Sequence, residues 1–412
     1  MWDDLLRNVE RNCRNVTVVT TPGQFGATAH SDGGWGQPGY VPVQTRSARF
    51  SSVHHADFPA VTGLETDWKL TPVKLVRPLI DGQLDGSIYN YVADIPSGVS
   101  IDWVDRDDVT LGRAGTPEDR ASANAWSSFD KALAITVTSE EHVNVTVSRS
   151  TLGSAPRAAH TVITAKANSD STVILESSGS TMLAENVEIV VEDGANLTVV
   201  SLQEWSNDSF QLSSHFATVG RDAFLKHIVV SLSGAVVRLN PSVHLAGEGS
   251  DAELYGLYFA DAGQHFEQRV YLHHLGANTK GRVNYKGALQ GVGARTVWVG
   301  DVLIGPDASG TDSYEQNRNL VLTEGTRADS IPNLEIETGD ILGAGHASAT
   351  GRFDDEQLFY LQSRGISEAE ARRLVVIGFL SEIVQKVGNP ELEARLHSAI
   401  EAELSLTAAA PQ

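Results

Sequence analysis

Five short polar turns recur along the middle of the chain, and each precedes a stretch in which apolar and polar residues alternate. The turns begin at residues 168, 193, 220, 249 and 278, which are 25 to 29 residues apart, and they read NSDS, DGAN, GRDA, GSDA and NTKG. A repeat of this length is typical of solenoids, whose units each have an apolar face that only a neighbouring unit can cover. The repeat therefore indicates a stacked architecture with one continuous core.

The stretches between the turns have the pattern of β-strands. From about Ile135 the chain is rich in Val, Ile and Thr in period-two alternation, as in AITVTSEEHVNVTVS and FLKHIVVSLSGAVVRLN. No long helical pattern separates these stretches, which argues against βαβ units and leaves a β-helix or a β-sandwich. The long run with a single period favours the β-helix.

The first 90 residues or so are irregular and contain many Gly and Pro residues, with one short helix expected over residues 2–12. A further helix is predicted from Pro117 in PEDRASANAWSSFDKALA, where Trp126, Phe129 and Leu133 would share one buried face.

The pattern becomes helical again after the strands. A short helix is predicted over residues 354–363, with Asp354 as its N-cap and Gly365 after its end. Ser367 and Glu370 predict a capping box for the next helix, and a last helix begins at Asn389–Pro390. The expected buried faces are Leu374, Val375, Phe379, Ile383 and Val387 in the second helix and Leu392, Leu396 and Ile400 in the third.

The charge balance and the single cysteine exclude several classes of protein. The chain has 52 acidic and 31 basic residues and a net charge of −21, which disfavours nucleic acid and anionic membrane surfaces as partners. Cys13 is the one cysteine, so an internal disulfide and a CxxC metal or redox site are both impossible. With no basic-apolar leader and no run of eighteen apolar residues, we expect a cytoplasmic protein.

Common catalytic motifs are missing from the sequence. It contains no HExxH, GxSxG or GxxxxGK[ST] pattern. The pairs His54–His55 and His273–His274 would point to opposite faces if they lay on strands, which favours a buried or paired histidine beside an exposed one over a metal site. His346 lies in GAGHASATG, which we interpret as a loop of small residues, and the alternatives are a solvated side chain or a ligand.

Several motifs in fixed order resemble the SufB/SufD family, the scaffold subunits of the SUF system for iron-sulfur cluster assembly. They cover most of the chain from about Arg46 and include RSARF, TDWKLTPVK, YLHHLGANTKGRVNYKGAL, TDSYEQNRNL, ADSIPNLEI, the histidine segment and DDEQLFYLQSRGIS. The resemblance implies a right-handed parallel β-helix. We therefore predict three regions, namely a partly helical N-terminal region over residues 1–134, the β-helix core over 135–353 and a helical domain over 354–412.

The resemblance is to the SufD type rather than to SufB. SufB-type chains carry core cysteines and tend to have a glutamate after the histidine, whereas Ala347 follows His346 here. Many SufD relatives have a cysteine two residues before the histidine, whereas this chain has Ala344 there. This segment therefore has no thiolate to offer. The resemblance implies that this segment lies near the contact with SufB and that His346 is one ligand of a transient iron-sulfur cluster, with no cofactor bound by the chain alone.

The resemblance also implies that the C-terminal helices dock the ATPase SufC, with Arg372, Arg373 and Phe379 as candidate contacts, while a helical cap over the end of the β-helix is the structural alternative. The chain itself has no phosphate loop, so ATP is used by SufC. We expect a scaffold subunit that is not an enzyme. The alternatives are a β-helix carbohydrate-active enzyme, which would need clustered carboxylates in a groove, and a self-associating SufB-like scaffold.

Overall fold

The computed structural model describes residues 49–352 and 355–408, which belong to one compact unit, Arg49–Gln412. The helix predicted over residues 2–12, Cys13 and Asp354 lie outside the described residues. Eighteen strands in this part of the chain form two nine-stranded sheets. Along the chain, the strands are β1 Val92–Asp94, β2 Val99–Asp105, β3 Lys131–Val137, β4 Val143–Ser150, β5 Gly153–Ala165, β6 Asp170–Gly179, β7 Thr181–Val191, β8 Asn196–Trp205, β9 Phe210–Val219, β10 Phe224–Ser233, β11 Val236–Leu245, β12 Asp251–Ala260, β13 His265–His274, β14 Lys280–Leu289, β15 Arg295–Ile304, β16 Thr311–Val321, β17 Arg327–Ile336 and β18 Ile341–Arg352.

From β3 onwards the strands alternate between the two sheets, which makes the core a parallel β-helix of about eight turns. One sheet runs in the order β1-β4-β6-β8-β10-β12-β14-β16-β18, and the other in the order β17-β15-β13-β11-β9-β7-β5-β3-β2. Each strand pairs with the strand one turn away, so that Leu197, Leu225 and Ala252 stack in register across β8, β10 and β12. The predicted fold class is thereby confirmed.

The polar turns found in the sequence connect the strands of the two sheets. Each contains a residue with positive φ, a backbone conformation that Gly, Asn and Asp adopt most readily. The turns stack as well, since the amide of Asn168 donates to the carbonyl of Asp193 in the next turn. Asn and Gly alternate for a steric reason, because a Cβ on Gly194 would lie 2.5 Å from Oδ1 of Asn168.

The N-terminal end of the β-helix is closed. Strands β1 and β2 pair antiparallel with β4 and β3 and extend each sheet by one strand. Tyr89 and Ile101 are buried against the first turn, and the rings of Tyr89 and Trp103 are 5.1 Å apart. The sheet that contains β3 to β17 is here called the odd-numbered sheet, and the sheet that contains β4 to β18 is called the even-numbered sheet. Helices α1 (Val73–Asp81) and α2 (Arg120–Ser128) cover the outer face of the odd-numbered sheet.

The sequence prediction for this N-terminal region was incomplete. Strands β1 and β2 and helix α1 were not predicted, and strand β3 begins at Lys131 rather than near Ile135. The helix from Pro117 ends at Ser128, so Leu133 lies on β3 and not on a helix. Because β3 gains ladder hydrogen bonds from two neighbouring strands, pairing overrides the helical spacing of its apolar residues.

Three helices follow the last strand, namely α3 (Asp355–Ser363), α4 (Glu368–Val384) and α5 (Pro390–Ala408). Helices α4 and α5, here called the flank helices, pack on the outer face of the even-numbered sheet along β6 to β14, and not over the end of the β-helix as the structural alternative had it. On α4 the predicted Ile383 and Val387 are buried, whereas Leu374, Val375 and Phe379 are only partly buried, and the predicted stripe on α5 is buried throughout. The buried residues are Ala371, Val376, Leu380, Ile383, Val384 and Val387 on α4 and Leu392, Leu396 and Ile400 on α5.

Candidate functional site

The C-terminal turn of the β-helix, formed by β17 and β18 and here called the open end, differs from all the earlier turns. Both strands lie at an edge of their sheets, and the inward-facing Ser330 and Leu334 on β17 are only partly buried. Large apolar side chains are exposed beside them, including Leu342 at 81% and Ile336 at 44%. Within the described residues, nothing covers the interior of this turn.

His346 lies at the open end on strand β18, so the interpretation of its segment as a loop was wrong. Ladder hydrogen bonds to β16 hold the small residues around His346 in an extended conformation. Gly and Ala have low strand propensity, so the sequence did not indicate this strand. The parallel register places His346 next to Glu315, and both side chains face the interior. Because no turn covers β18, the imidazole remains 44% exposed.

Glu315 lies one turn deeper, and its side chain is fully buried. Neither carboxylate oxygen accepts a well-formed hydrogen bond within the described residues. Burial raises the pKa of Glu315 to about 8, and the nearby Asp301 raises this pKa as well, while the backbone amide of Asn333 opposes the rise. Oε1 of Glu315 lies 3.8 Å from Nδ1 of His346.

The sequence analysis missed Glu315, although a signal was available. In TDSYEQNRNL the alternation of the strand places Glu315 on the same face as Ser313 and Asn317, and all three are buried. An acidic residue at an inward position of a β-helix strand is unusual enough to mark a candidate site.

Amide and hydroxyl groups surround this pair in the last turns. Asn317 donates from Nδ2 to Oη of Tyr258 at 2.8 Å, and Tyr258 donates to Oδ1 of Asn319 at 2.7 Å. Nδ2 of Asn319 also lies 3.0 Å from Oγ of Ser330. The interior of the β-helix therefore becomes polar towards the open end.

The two histidine pairs lie in different kinds of structure. His55 is in a single 3-10 turn, where its Nε2 lies 2.9 Å from the carbonyl oxygen of Ile80, so His54 and His55 are not on a strand. On β13, His274 is buried between Thr279 and Ser313, while His273 faces outward. Across residues 49–352 and 355–408, no three His, Cys, Asp or Glu side chains group closely enough to hold a metal ion.

Arg372 and Arg373 lie on α4 and form ion pairs. Arg372 pairs with Glu368 one helical turn earlier, and Arg373 contacts both Glu370 and Glu401, which links the two flank helices. The amide of Glu370 donates to Oγ of Ser367 at 3.3 Å, which is half of the predicted capping box.

Phe379 lies at the contact between α4 and the β-helix. The ammonium group of Lys286 on β14 lies 4.8 Å from the centre of the Phe379 ring and donates to the Phe379 carbonyl oxygen at 3.1 Å. Lys286 also pairs with Glu382. Phe379 is partly exposed, while the rings of Phe359 and Tyr360 on α3 are 73% and 47% exposed.

The alternative of a carbohydrate-active enzyme would need clustered carboxylates in a groove. A depression of about 480 Å³ at the closed end contains a single carboxylate. Glycoside hydrolysis generally requires a pair of them across the scissile bond. The depression is lined by Gln83, Leu84, Asp85, Gly86, Ala155 and Pro156.

No helix in the described part of the chain is long and apolar enough to span a membrane.

Comparison with known proteins gives consistent matches. Residues 148–379 match the SufBD core domain of the SUF system for FeS cluster assembly. The iron-sulfur cluster assembly SufBD family protein Rv1462 of Mycobacterium tuberculosis is 49% identical over 370 residues, which cover 87% of this chain and 93% of the relative. The family protein of Mycobacterium leprae is 48% identical over 87% of this chain and 94% of its own length. A second M. tuberculosis family protein, Rv1461, is 30% identical over 49% of this chain and 24% of its own length.

Proposed function

The chain belongs to the SufBD family of iron-sulfur cluster assembly proteins, and we propose that it is the SufD-type subunit of a cytoplasmic scaffold rather than an enzyme. Its cargo is a transient iron-sulfur cluster that it shares with a SufB-type partner. The observation that carries this proposal is His346, which the open end of a β-helix without core cysteines presents to solvent.

The assignment to the SufD type is supported by the side chains that the chain lacks. No cysteine follows Cys13, so no thiolate of the β-helix is available to hold iron or sulfide. A partner must therefore supply the thiolates. M. tuberculosis has one family protein similar to this chain over nearly its whole length and another similar over only about half of this chain, which is consistent with two distinct subunits.

We place the contact with SufB at the open end. Among the described residues β17 and β18 are the last strands of their sheets, a position from which a strand of another chain is able to extend each sheet. The exposed Leu342 and Ile336 and the partly buried Leu334 add apolar area around these edges. Such a contact would bury the exposed edge of the His346 imidazole.

We place the ATPase SufC on the C-terminal helices. The flank helices use one face against the β-helix, while Arg372 and Arg373 near the start of α4 keep more than a third of their side-chain surface exposed. The exposed rings of Phe359 and Tyr360 on α3 offer apolar contacts nearby. ATP hydrolysis belongs to SufC, and the salt bridge of Lys286 with Glu382 would connect the docked helices to the β-helix.

The test is co-expression of this chain with its SufB and SufC partners, followed by size-exclusion chromatography and assay of iron and acid-labile sulfide. A three-subunit complex is expected, and His346→Ala should leave it intact while lowering cluster content. His142→Ala, which removes a half-exposed histidine at the opposite end, is the matched control. A stable stoichiometric cluster on the isolated chain, or equal cluster content in the intact His346→Ala complex, would contradict the proposal.

A further inference from the structure

Glu315 is the exception among the buried glutamates of the described residues. Three others are buried, and each contacts an arginine or histidine side chain at 3.3 Å or less. Neither carboxylate oxygen of Glu315 has a well-formed hydrogen bond within the described residues. Burying a carboxyl group without such a partner is costly. The partners are Arg149 for Glu185, His160 for Glu188, and Arg238 with Arg269 for Glu267.

The position of Glu315 shows where a partner would approach. His346 is paired with Glu315 one strand closer to the open end, and its Nδ1 lies 3.8 Å from Oε1 of the carboxylate. The odd-numbered sheet leaves room for the carboxylate, because a Cβ on Gly300 would lie 2.2 Å from Oε2 of Glu315. The group is therefore accommodated by the opposite strand yet lies directly below a half-exposed imidazole.

The separation of the two side chains fits a shared metal ion. An ion about 2.1 Å from a nitrogen and an oxygen in tetrahedral geometry holds these atoms about 3.4 Å apart. Nδ1 of His346 and Oε1 of Glu315 are 3.8 Å apart, so a small side-chain rotation brings them into range. Imidazole and carboxylate together are suitable ligands for ferrous iron.

We propose that Glu315 and His346 form a two-ligand half-site for ferrous iron at the open end, in which the buried carboxylate is the second protein ligand. The inference rests on the proposed function, because it deepens the role of His346 in handling iron. The chain supplies one nitrogen and one or two oxygens, and the remaining coordination positions face out of the open end. Water fills these positions in the isolated chain, and thiolates of the partner fill them in the complex.

The test is anaerobic titration of the full-length chain with Fe²⁺ in competition with a chromophoric chelator. The parent should bind about one Fe²⁺ weakly, because two protein ligands are only half of a tetrahedral set. Glu315→Gln and His346→Ala should each weaken the affinity at least tenfold. The glutamine has the same shape and needs no counter-charge, so this variant should fold as the parent does, which circular dichroism and a thermal melt would verify.

Matched controls make the outcome specific to this pair. Glu337→Gln removes an exposed carboxylate just after β17, and His142→Ala removes the imidazole of a surface pair with Asp170 at the other end. Both should stay within twofold of the parent. The proposal is overturned if the parent binds no Fe²⁺, if Glu315→Gln binds as the parent does, or if the loss occurs in His142→Ala instead. Co-purification with SufB and SufC is measured separately, so an intact complex with no Fe²⁺ site on this chain would reject the half-site alone.

Discussion

The two ends of the β-helix contrast in how the chain finishes them. At the N-terminal end, β1 and β2 extend the sheets with antiparallel strands, and Tyr89, Ile101 and Trp103 pack against the first turn. At the C-terminal end, β17 and β18 are followed by helices that pack on the flank instead of over the interior. Solenoids usually need a cap at each end, and the part of the chain that the structure describes has none at the C-terminal end, where we propose that the SufB partner binds.

The contrast also concerns chemistry. The inward positions of the first turns are mostly aliphatic, for example Leu133, Ile135 and Val145. The last turns place Glu315, Asn317 and His346 on the equivalent inward face. The closed end thus buries apolar side chains completely, whereas the open end leaves His346 half-exposed on the inward face.

The largest expected effect tests this contrast with two inward leucines. Leu133→Ala in the first turn should lower the free energy of unfolding by about 2 to 5 kcal/mol, because a 1% exposed side chain leaves a cavity. Leu334→Ala in the last turn should cost about 1 kcal/mol, because Leu334 is already partly solvated. Urea unfolding together with hydrogen exchange by region would measure both. Equal losses would remove the distinction between the ends.

The second prediction concerns the dry interior of the middle turns. Nδ1 of His215 lies 2.9 Å from Nε2 of His227, and burial lowers the pKa of His215 to about 3 and that of His227 well below its usual value. Because the folded state favours neutral histidine, this stability is present above pH 6.5 and is lost as the pH falls from there towards 3. At pH 5 each histidine should cost about 2 kcal/mol.

Unfolding free energies at pH 7 and pH 5 would test the effect of these histidines. In His215→Gln the decrease in the free energy of unfolding from pH 7 to pH 5 should be smaller than in the parent, by about the contribution of one histidine. Glutamine keeps a hydrogen-bonding group near Ser213 but does not titrate in this range. An unchanged pH dependence in this variant would show that the histidine pair is not the cause.

The third prediction separates pairing from stability at the open end. Leu342→Asp should change the free energy of unfolding by no more than about 0.5 kcal/mol, because Leu342 is exposed at a bulge in β18. It should nevertheless weaken binding of the SufB partner at least tenfold. Val109→Asp, at an 89% exposed site in the N-terminal region, is the control and should bind as the parent does. If both variants bind the partner equally well, the open end is not the interface.

The smallest stability change is expected on the flank. Arg372→Glu breaks an exposed pair with Glu368 and should cost about 0.5 kcal/mol or less, while it weakens SufC binding. Arg373 is less suitable for charge reversal, because it also links α4 to α5 through Glu401. Arg221→Glu on a remote turn gives the same charge change and serves as the control in pull-down and thermal melts. SufC binding that is equal in both variants would move the docking surface elsewhere.

The sequence was sufficient to predict the β-helix because its turns need particular residues. Asn168, Gly194 and Asp222 occupy positions with positive φ, so their recurrence gives the length of a turn directly. The stripe of Leu392, Leu396 and Ile400 was predictable for a similar reason, since helical spacing alone determines which face is apolar.

The remaining features depend on contacts between distant parts of the chain. Strand β3 has an apolar spacing compatible with a helix, and its pairing with β2 and β5 decides its structure. His346 was predictable as a candidate but not as a strand residue, because Gly and Ala have little strand propensity. Glu315 gains its unusual environment only when β15, β16 and β18 come together.

The alternation of Asn or Asp with Gly in the stacked turns has an evolutionary consequence. Asn168 lies over Gly194, Asp222 over Gly249, and Asn278 over Gly310, with a hypothetical glycine Cβ 2.4 to 2.5 Å from the carbonyl oxygen of each side chain. Removal of a single turn that carries Gly would bring two side chains together where only one fits, whereas removal of two adjacent turns would preserve the alternation. Lineages of this fold should therefore lengthen or shorten most readily by duplicating or deleting pairs of turns.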